Sequence, residues 1–524
     1  MTSSETTETR ESPPDPRRWL VLAVMSLGTL IVFLDLTVVN TALPAISLDL
    51  QATTSDLQWV VDSYVLVLAG LLILAGSIGD RFGRRRWMTA GLVLFAAGSV
   101  VGALANSIPS LIAGRAIQGL GAAFVLPATL SIVTHAFPRD ERGKAIAVWT
   151  AVGGMGIGLG PAIGGYLVDR WDWSAAFWIH LPIIAVALLG QRVVAESKDH
   201  RKVSLDVPGA VTATVGISTL VFGIIQGTEE GWTSPLILGS FALAGALLAA
   251  FIAIELRASD PMLPLHFFRE REFTGSVLVI GLLFFAGPST FFFLTQFFQI
   301  VQGRDPFEAG LLILPNAGAI VLASALAPKV SASLGLRRTV VLSASFMAAA
   351  MLLFTQVTAD WNALTEISVI MLFGFGFGLG MPALTDSIMA SVPVEDAGVG
   401  SAVNDVSREL GSALGVAILG SFINGIYRAD VGDRLEGQVP EEAIELAREG
   451  IGVVAAAGDS LSPAVAQTTF ETASASFVDA MGSGFFLGAG VMVAAVVAAG
   501  TLLPRTARTT QVSRDEDPAA LTPV

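Results

Sequence analysis

Fourteen apolar runs, separated by short charged or Gly/Pro-marked breaks, leave this chain few ways to fold. Each is about 19 to 29 residues long, enough for a helix rising 1.5 Å per residue to cross roughly 30 Å of hydrocarbon. They fall near 18–44, 57–79, 87–105, 109–134, 143–168, 173–193, 205–226 and 234–256, then 273–301, 309–330, 338–357, 363–390, 398–426 and 477–503. A soluble fold has no place for that much apolar surface: 53% of residues are hydrophobic and only 14% charged, against about 25% in soluble domains. The pattern predicts an all-α membrane protein.

Other chemistries are poorly supplied. The chain has no Cys, which removes disulfides, thiolate metal sites and cysteine nucleophiles, and its four His (His135, His180, His200, His266) are scattered, so no metal site is expected. That scatter also disfavours a membrane-embedded transferase, and no GxxxxGK[ST] segment for ATP is present. A formal charge of -14 argues against nucleic acid. The first 17 residues are polar and contain acids, which reads as a tail and not as a targeting peptide.

Lys and Arg orient the spans, because they are retained on the cytoplasmic side of short loops. Placing both termini inside gathers Arg81, Arg84, Arg85, Arg86, Arg139, Arg142, Lys144, Lys198, Arg201, Lys202, Arg257, Arg269, Arg271, Lys329, Arg337, Arg338, Arg505 and Arg508 on the cytoplasmic side. Arg170, Arg304, Arg428, Arg434 and Arg448 are left outside. A multi-pass protein of the cell membrane is expected, with tails 1–17 and 504–524 in the cytoplasm and one long, acidic external loop, 427–476, as spacer or lid, within which PEEAIELAREG can form a short surface helix. Trp19, Trp59, Trp171 and Trp232 near span ends read as interfacial anchors.

Between the second and third spans stands GSIGDRFGRRR, Gly76 to Arg86. A positive-inside loop explains its cations but not the spacing of Gly76, Gly79, Asp80 and Gly83. This segment resembles the signature loop of the major facilitator superfamily, which implies a cytoplasmic latch formed by Gly76, Asp80, Arg81, Gly83, Arg84 and Arg85. Asp80 can pair with Arg84 or Arg85 and can face a helix N-terminus. The matching segment of the second half, APKVSASLGLRRTV, keeps Arg337 and Arg338 but lacks the acid. The fifth span carries GMGIGLGPAIGG, with Gly156, Gly160, Pro161, Gly164 and Gly165, and resembles the superfamily's antiporter signature. LDLTVVNTALP, QWVVDSYVL, RAIQGLGAAFVLPATLSIV and GSAVNDVSRELGSALGVAILGS are similar to segments of the fourteen-helix drug:proton antiporters, which include quaternary-ammonium exporters. The resemblance implies two six-helix bundles, 18–193 and 273–503, with two inserted helices at 205–256. It also implies export of drugs or lipophilic cations in exchange for protons, without a cofactor. A dedicated exporter of a native metabolite or lipid is the alternative.

Charges buried in the spans identify candidate residues, since each costs about 2.5 to 3.5 kcal/mol near the bilayer centre and so faces a partner or cavity. Counting rises along the helices places Asp35, Asp62 and Arg115 at similar depth, roughly 8 to 13 Å below the outer boundary. Burial favours a neutral carboxyl and a nearby cation an ionised one. Asp35 is therefore expected to exchange protons with Arg115 beside it, leaving Asp62 for cationic substrate. A purely structural pairing of Asp35 with Arg115 stays open. In the second half Asp405, Arg408 and Glu409 share neighbouring faces, two acids to one base, and Asp405 and Glu409 are candidate proton sites or parts of a structural network. Asp386, near a span end, ranks below them. Phe284, Phe285, Phe291, Phe292, Phe293, Phe297 and Phe298 crowd the ninth span. Phe292 and Phe293, with Gln296, are candidates for substrate contact, though lipid-facing Phe is ordinary.

Overall fold

The computed structural model describes residues 16–50, 52, 54–198, 206–258, 261, 263–358, 361–393, 396–456 and 461–504. The expected tails lie almost wholly outside these, as do Arg201, Lys202, Arg505 and Arg508. Among the described residues there is no strand. The first half runs α1 Arg18–Leu50, α2 Thr54–Phe82, α3 Arg84–Ala103, α4 Ile108–Ala136, α5 Arg139–Arg170, α6 Ala175–Trp178 and α7 His180–Gly190. Then follow α8 Val207–Glu230 and α9 Pro235–Glu255. The second half runs α10 Arg271–Gln296, α11 Pro306–Leu334, α12 Leu336–Phe354, α13 Ala363–Ala390, α14 Ala397–Leu435, α15 Glu441–Glu449, α16 Ile451–Ala456 and α17 Pro463–Leu502.

Among the described residues 14 helical stretches are long and apolar enough to cross a membrane, α6 and α7 together forming one. The chain is a multi-pass membrane protein. The face where α1 begins and α17 ends is here the near face, its opposite the far face. The halves meet along two seams, α2 against α14 and α5 against α11, and α8 packs on both α2 and α14. Caps follow local chemistry: Asp206 and Ser234 accept from the third residue of α8 and α9, and Pro stands at the first turn of each.

The segment expected as a loop, 427–476, is largely helical. α14 continues to Leu435 and α17 begins at Pro463, so helices of 39 and 40 residues, about 58 and 60 Å long, outrun the roughly 30 Å hydrocarbon layer. With α15 and α16 they form a far-face cap. Tyr427 donates to the Ala447 carbonyl at 2.8 Å, and Arg434 pairs with Asp430 and Asp479 at 2.9 and 2.7 Å. Ala443, Ile444 and Ala447 of α15 are buried, its charged residues turned outward. Trp232 is more than an interfacial anchor: it stacks on Phe241 and donates to Ser421 of α14 at 3.0 Å.

Candidate functional site

Glycines let α3 and α4 touch backbone to backbone. A Cβ on Gly98 would lie 2.6 Å from the Gln118 nitrogen, and one on Gly114 2.8 Å from the Gly102 nitrogen. This close approach seats Gln118 Nε2 2.9 Å from Ser99 Oγ in the interior. One turn before Gln118 stands Arg115, 1% exposed, and against it Asp35 of α1, 0% exposed. Arg115 Nη1 donates to both Asp35 oxygens at 2.9 and 2.7 Å and to Gln118 Oε1 at 2.8 Å, and its Nε donates to the Val60 carbonyl of α2 at 3.1 Å. Gln118 Nε2 reaches Asp35 Oδ1 at 3.3 Å. The guanidinium carbon lies 4.4 Å from the Tyr64 ring centre. His180, fully buried at the start of α7, holds Nε2 3.6 Å from Asp35 Oδ1.

The pair thus ties α1, α2, α3, α4 and α7 to one point. Removing one member of such a buried pair costs about 3 to 5 kcal/mol. Arg115 also has two acceptors besides Asp35 already in place, so the guanidinium can stay satisfied if Asp35 gives up its charge. Tyr64, Gln118, Ser99 and His180 carry no formal charge in an apolar run, and the sequence reading passed over all four as site members.

Asp62 shares the depth of the pair but not its side of α2. Val60 and Tyr64, which touch Arg115, are four apart on one face; Asp62, midway, projects about 200° round from each. It is buried on the side of α2 whose later turn carries Gly76 against α14. Asp35 and Arg115 therefore form one cluster, and Asp62 stands on a separate face of α2.

In the second half Arg408 Nη1 pairs with Asp405 Oδ1 at 3.1 Å, both buried, and Asn404 donates to that same oxygen at 3.2 Å. Glu409 is half-buried and lies within electrostatic reach of Arg408 and of Tyr64 in the other half. Arg408 leaves its own half: its guanidinium carbon sits 4.8 Å from Phe33, 5.8 Å from Trp149 and 4.7 Å from Phe284. Of the aromatics in α10, Phe284 is therefore the one at the charged groups. Phe293 is buried, Gln296 half-buried, and Phe292 is 50% exposed, outside the packed interior. Among the described residues no hydrogen bond or ring contact joins these three to the ion pairs, and Phe292 matches the ordinary surface aromatic that composition allows.

The glycine run of α5 works on two faces. Gly156, Gly160 and Gly164 lie on α1, at Leu30 and Leu34, Thr37, and Thr41 with Val38, while Gly154 and Gly158 lie on α11, at Ile320 and Ala317. This second stripe, two residues out of phase, went unread in the sequence, and it forms one of the two seams between halves. Pro161 lies beside it, the Ala162 nitrogen 3.4 Å from where a Cβ on Gly310 would sit. Among the described residues a Cβ on Gly165 would meet nothing within 4 Å, so Gly165 does not share the close packing of the other three. Gly158→Val should therefore overpack the seam by about 1 to 3 kcal/mol, whereas Gly165→Ala should stay near wild type. Thermal unfolding midpoints of the two purified variants check this contrast.

At the near face Asp80, 6% exposed, pairs with Arg84 at 2.6 Å and accepts from the Gly398 and Val399 nitrogens at 3.0 and 3.1 Å. Those nitrogens open α14, so the acid crosses between halves to a helix N-terminus, where negative charge is favoured. Among the described residues its ion pair is with Arg84 and not Arg85, while the backbone nitrogens of Arg85 and Arg86 donate to Glu196 at 3.1 Å, capping α3. Arg81 lies over Phe82 at 5.2 Å. Gly83 takes φ 114 to turn the chain, Gly76 packs under the Gly398 carbonyl, and Gly79 touches nothing within 4 Å. In the second half Arg337 instead donates to the Leu503 carbonyl at 2.6 Å, within its own half. Asp386 adds a near-face contact, within electrostatic reach of Arg142 from the first half.

The model of the Major Facilitator Superfamily matches residues 25–416. The chain belongs to that superfamily. Its transporter is a secondary carrier and not an enzyme. The chain is 35% identical to the "Multidrug resistance protein Stp" of Mycobacterium tuberculosis over 80% of this chain and 79% of the relative. It is 32% identical to the "Multidrug efflux pump LfrA" of Mycolicibacterium smegmatis, covering 93% and 97%. The "Tetracenomycin C resistance and export protein" of Streptomyces glaucescens is 33% identical over 92% and 91%. Among solved structures the fold resembles the human organic anion transporter MFSD10, with TM-score 0.61 and 16% identity over 93% of this chain and all of that one. The proton:xylose symporter XylE is similarly close in fold, at 0.61 and 15% over 93% and 96%.

Proposed function

We propose that this facilitator exports lipophilic, often cationic, small molecules in exchange for protons, by alternating access. The observation that carries the reading is the buried Asp35–Arg115 pair, in which the cation has other acceptors waiting. Such a pair has two hydrogen-bonded arrangements: charges matched, as here, or Asp35 protonated, with the guanidinium's hydrogen bonds held by Gln118 and the Val60 carbonyl at the cost of an unbalanced buried charge. Phe33, two residues from Asp35, touches Arg408 of the second half, so a proton arriving at Asp35 acts where the halves meet. Asp405 and Glu409 with Arg408 offer a second site of the same kind.

Export, and small-molecule drugs as cargo, follow from the relatives' names, which include a methyl viologen resistance protein of Salmonella typhimurium 32% identical over 88% of this chain and 93% of that one. Methyl viologen is a flat aromatic dication, and buried acids suit such cargo. The Lys/Arg asymmetry makes the near face cytoplasmic and the far-face cap external. The proton gradient is then the energy source, and no cofactor enters. A dedicated exporter of one compound is the second reading, favoured by the tetracenomycin relative.

Energised cells carrying the protein should expel a fluorescent lipophilic cation such as ethidium, and an uncoupler should abolish the expulsion. Efflux that survives the uncoupler would remove proton coupling. A panel of unrelated lipophilic cations separates the two readings, since a dedicated exporter moves at most one of them.

A further inference from the structure

Phe33 of α1, Trp149 of α5 and Phe284 of α10 come from three helices and both halves, yet all three rings face one point, the Arg408 guanidinium carbon at 4.7 to 5.8 Å. Trp149 and Arg408 are 0% and 3% exposed. Aromatic faces attract cations through the ring quadrupole, and an enclosure of several such faces is the recognised way to hold a cation that has no N–H to donate. Arg408 suits the enclosure poorly. Its Nε makes no hydrogen bond among the described residues, and Oδ2 of its partner Asp405 makes none either. A buried guanidinium with five donors ordinarily finds more acceptors than the one carboxylate oxygen present here. The rings thus offer what a lipophilic cation needs and lack what an arginine needs.

We propose that the Phe33–Trp149–Phe284 cage is a binding site for the charged head of lipophilic cations, with Arg408 as a resident stand-in that cargo displaces. The assignment rests on the exporter reading above and specifies its substrate site. When cargo enters, Arg408 swings toward the open Oδ2 of Asp405 and toward Glu409, within electrostatic reach of it. Two carboxylates then balance two cations. The displaced arginine no longer bridges α14 to α1 and α5, so occupancy loosens the contact between halves. A cation that fills the cage also lies two residues along α1 from Asp35, where the proton is handled.

Equilibrium dialysis of tetraphenylphosphonium against the purified full chain tests the cage. Trp149→Leu and Phe284→Leu, which stay apolar but lose the ring face, should each weaken binding about 2- to 30-fold, while Trp149→Tyr should stay near wild type. Arg408→Gln, which removes the stand-in, should tighten binding over a similar range, a gain that a misfolded protein does not produce. Adding Trp149→Leu to Arg408→Gln should cancel the gain. Unchanged binding in both Leu variants, or weaker binding in Arg408→Gln, would overturn the cage while leaving cation export standing. Wild-type protein that binds no tetraphenylphosphonium would overturn both.

Discussion

Cells producing Asp35→Asn should retain a lipophilic cation to the level of cells without the protein, while the purified variant still binds that cation. The expectation follows from the burial of Asp35 and from its bond to the single Nη1 of Arg115. Asn has the size of Asp but no proton to exchange, so coupling goes while shape remains. A purely architectural pair, holding α1 to α4, predicts damage too, since the lone Arg115 becomes an uncompensated buried charge costing about 3 to 5 kcal/mol. The double variant Asp35→Asn/Arg115→Gln separates the two accounts, because it removes both charges and that penalty with them. Proton exchange at Asp35 requires the double variant to fold well and still fail to pump. Restored efflux in the double variant would reduce the pair to a structural tie.

Asp80→Asn should open the near face. The carboxylate accepts two backbone N–H bonds from the start of α14 and pairs with Arg84, and hydrogen bonds to charged groups contribute about 1.5 to 3 kcal/mol each. An amide keeps one acceptor oxygen and loses the charge, so losing a single such bond shifts the closed population roughly ten- to hundredfold. Because the chain has no Cys, one introduced thiol reports this without background. Ser401 is 0% exposed and lies on α14 between the turns of Gly398 and Asp405. Ser401→Cys should react with a maleimide at least tenfold faster in the Asp80→Asn background. An unchanged rate would mean that the Asp80 contact does not hold the near face shut.

Hydropathy carried the helices because bilayer thickness sets a length that no other fold shares, and charge carried Asp35 and Arg115 because a buried ion must have a partner. What surrounds them was harder to read. Gln118, Ser99, Tyr64 and His180 are neutral groups in apolar runs, and only the glycine-bared contact of α3 with α4 brings Gln118 to Ser99. Asp62 shows the limit of depth as a guide: residues at one level on different faces do not meet, and the phase against Val60 and Tyr64 was written in the spacing. The far-face cap escaped a hydropathy reading because α14 and α17 continue as helices after their apolar runs end. Likewise the Gly154 and Gly158 stripe is hidden inside a run whose other glycines serve α1.

The central claim, that Asp35 exchanges its proton against cargo, is tested most directly by equilibrating purified protein in weakly buffered solution acidic enough for Asp35 to start in its protonated arrangement, adding tetraphenylphosphonium and recording pH. Wild-type protein should release protons as it saturates, and Asp35→Asn/Arg115→Gln should bind the cation and release none. Equal release from the double variant, or binding by wild type without any release, would contradict the account.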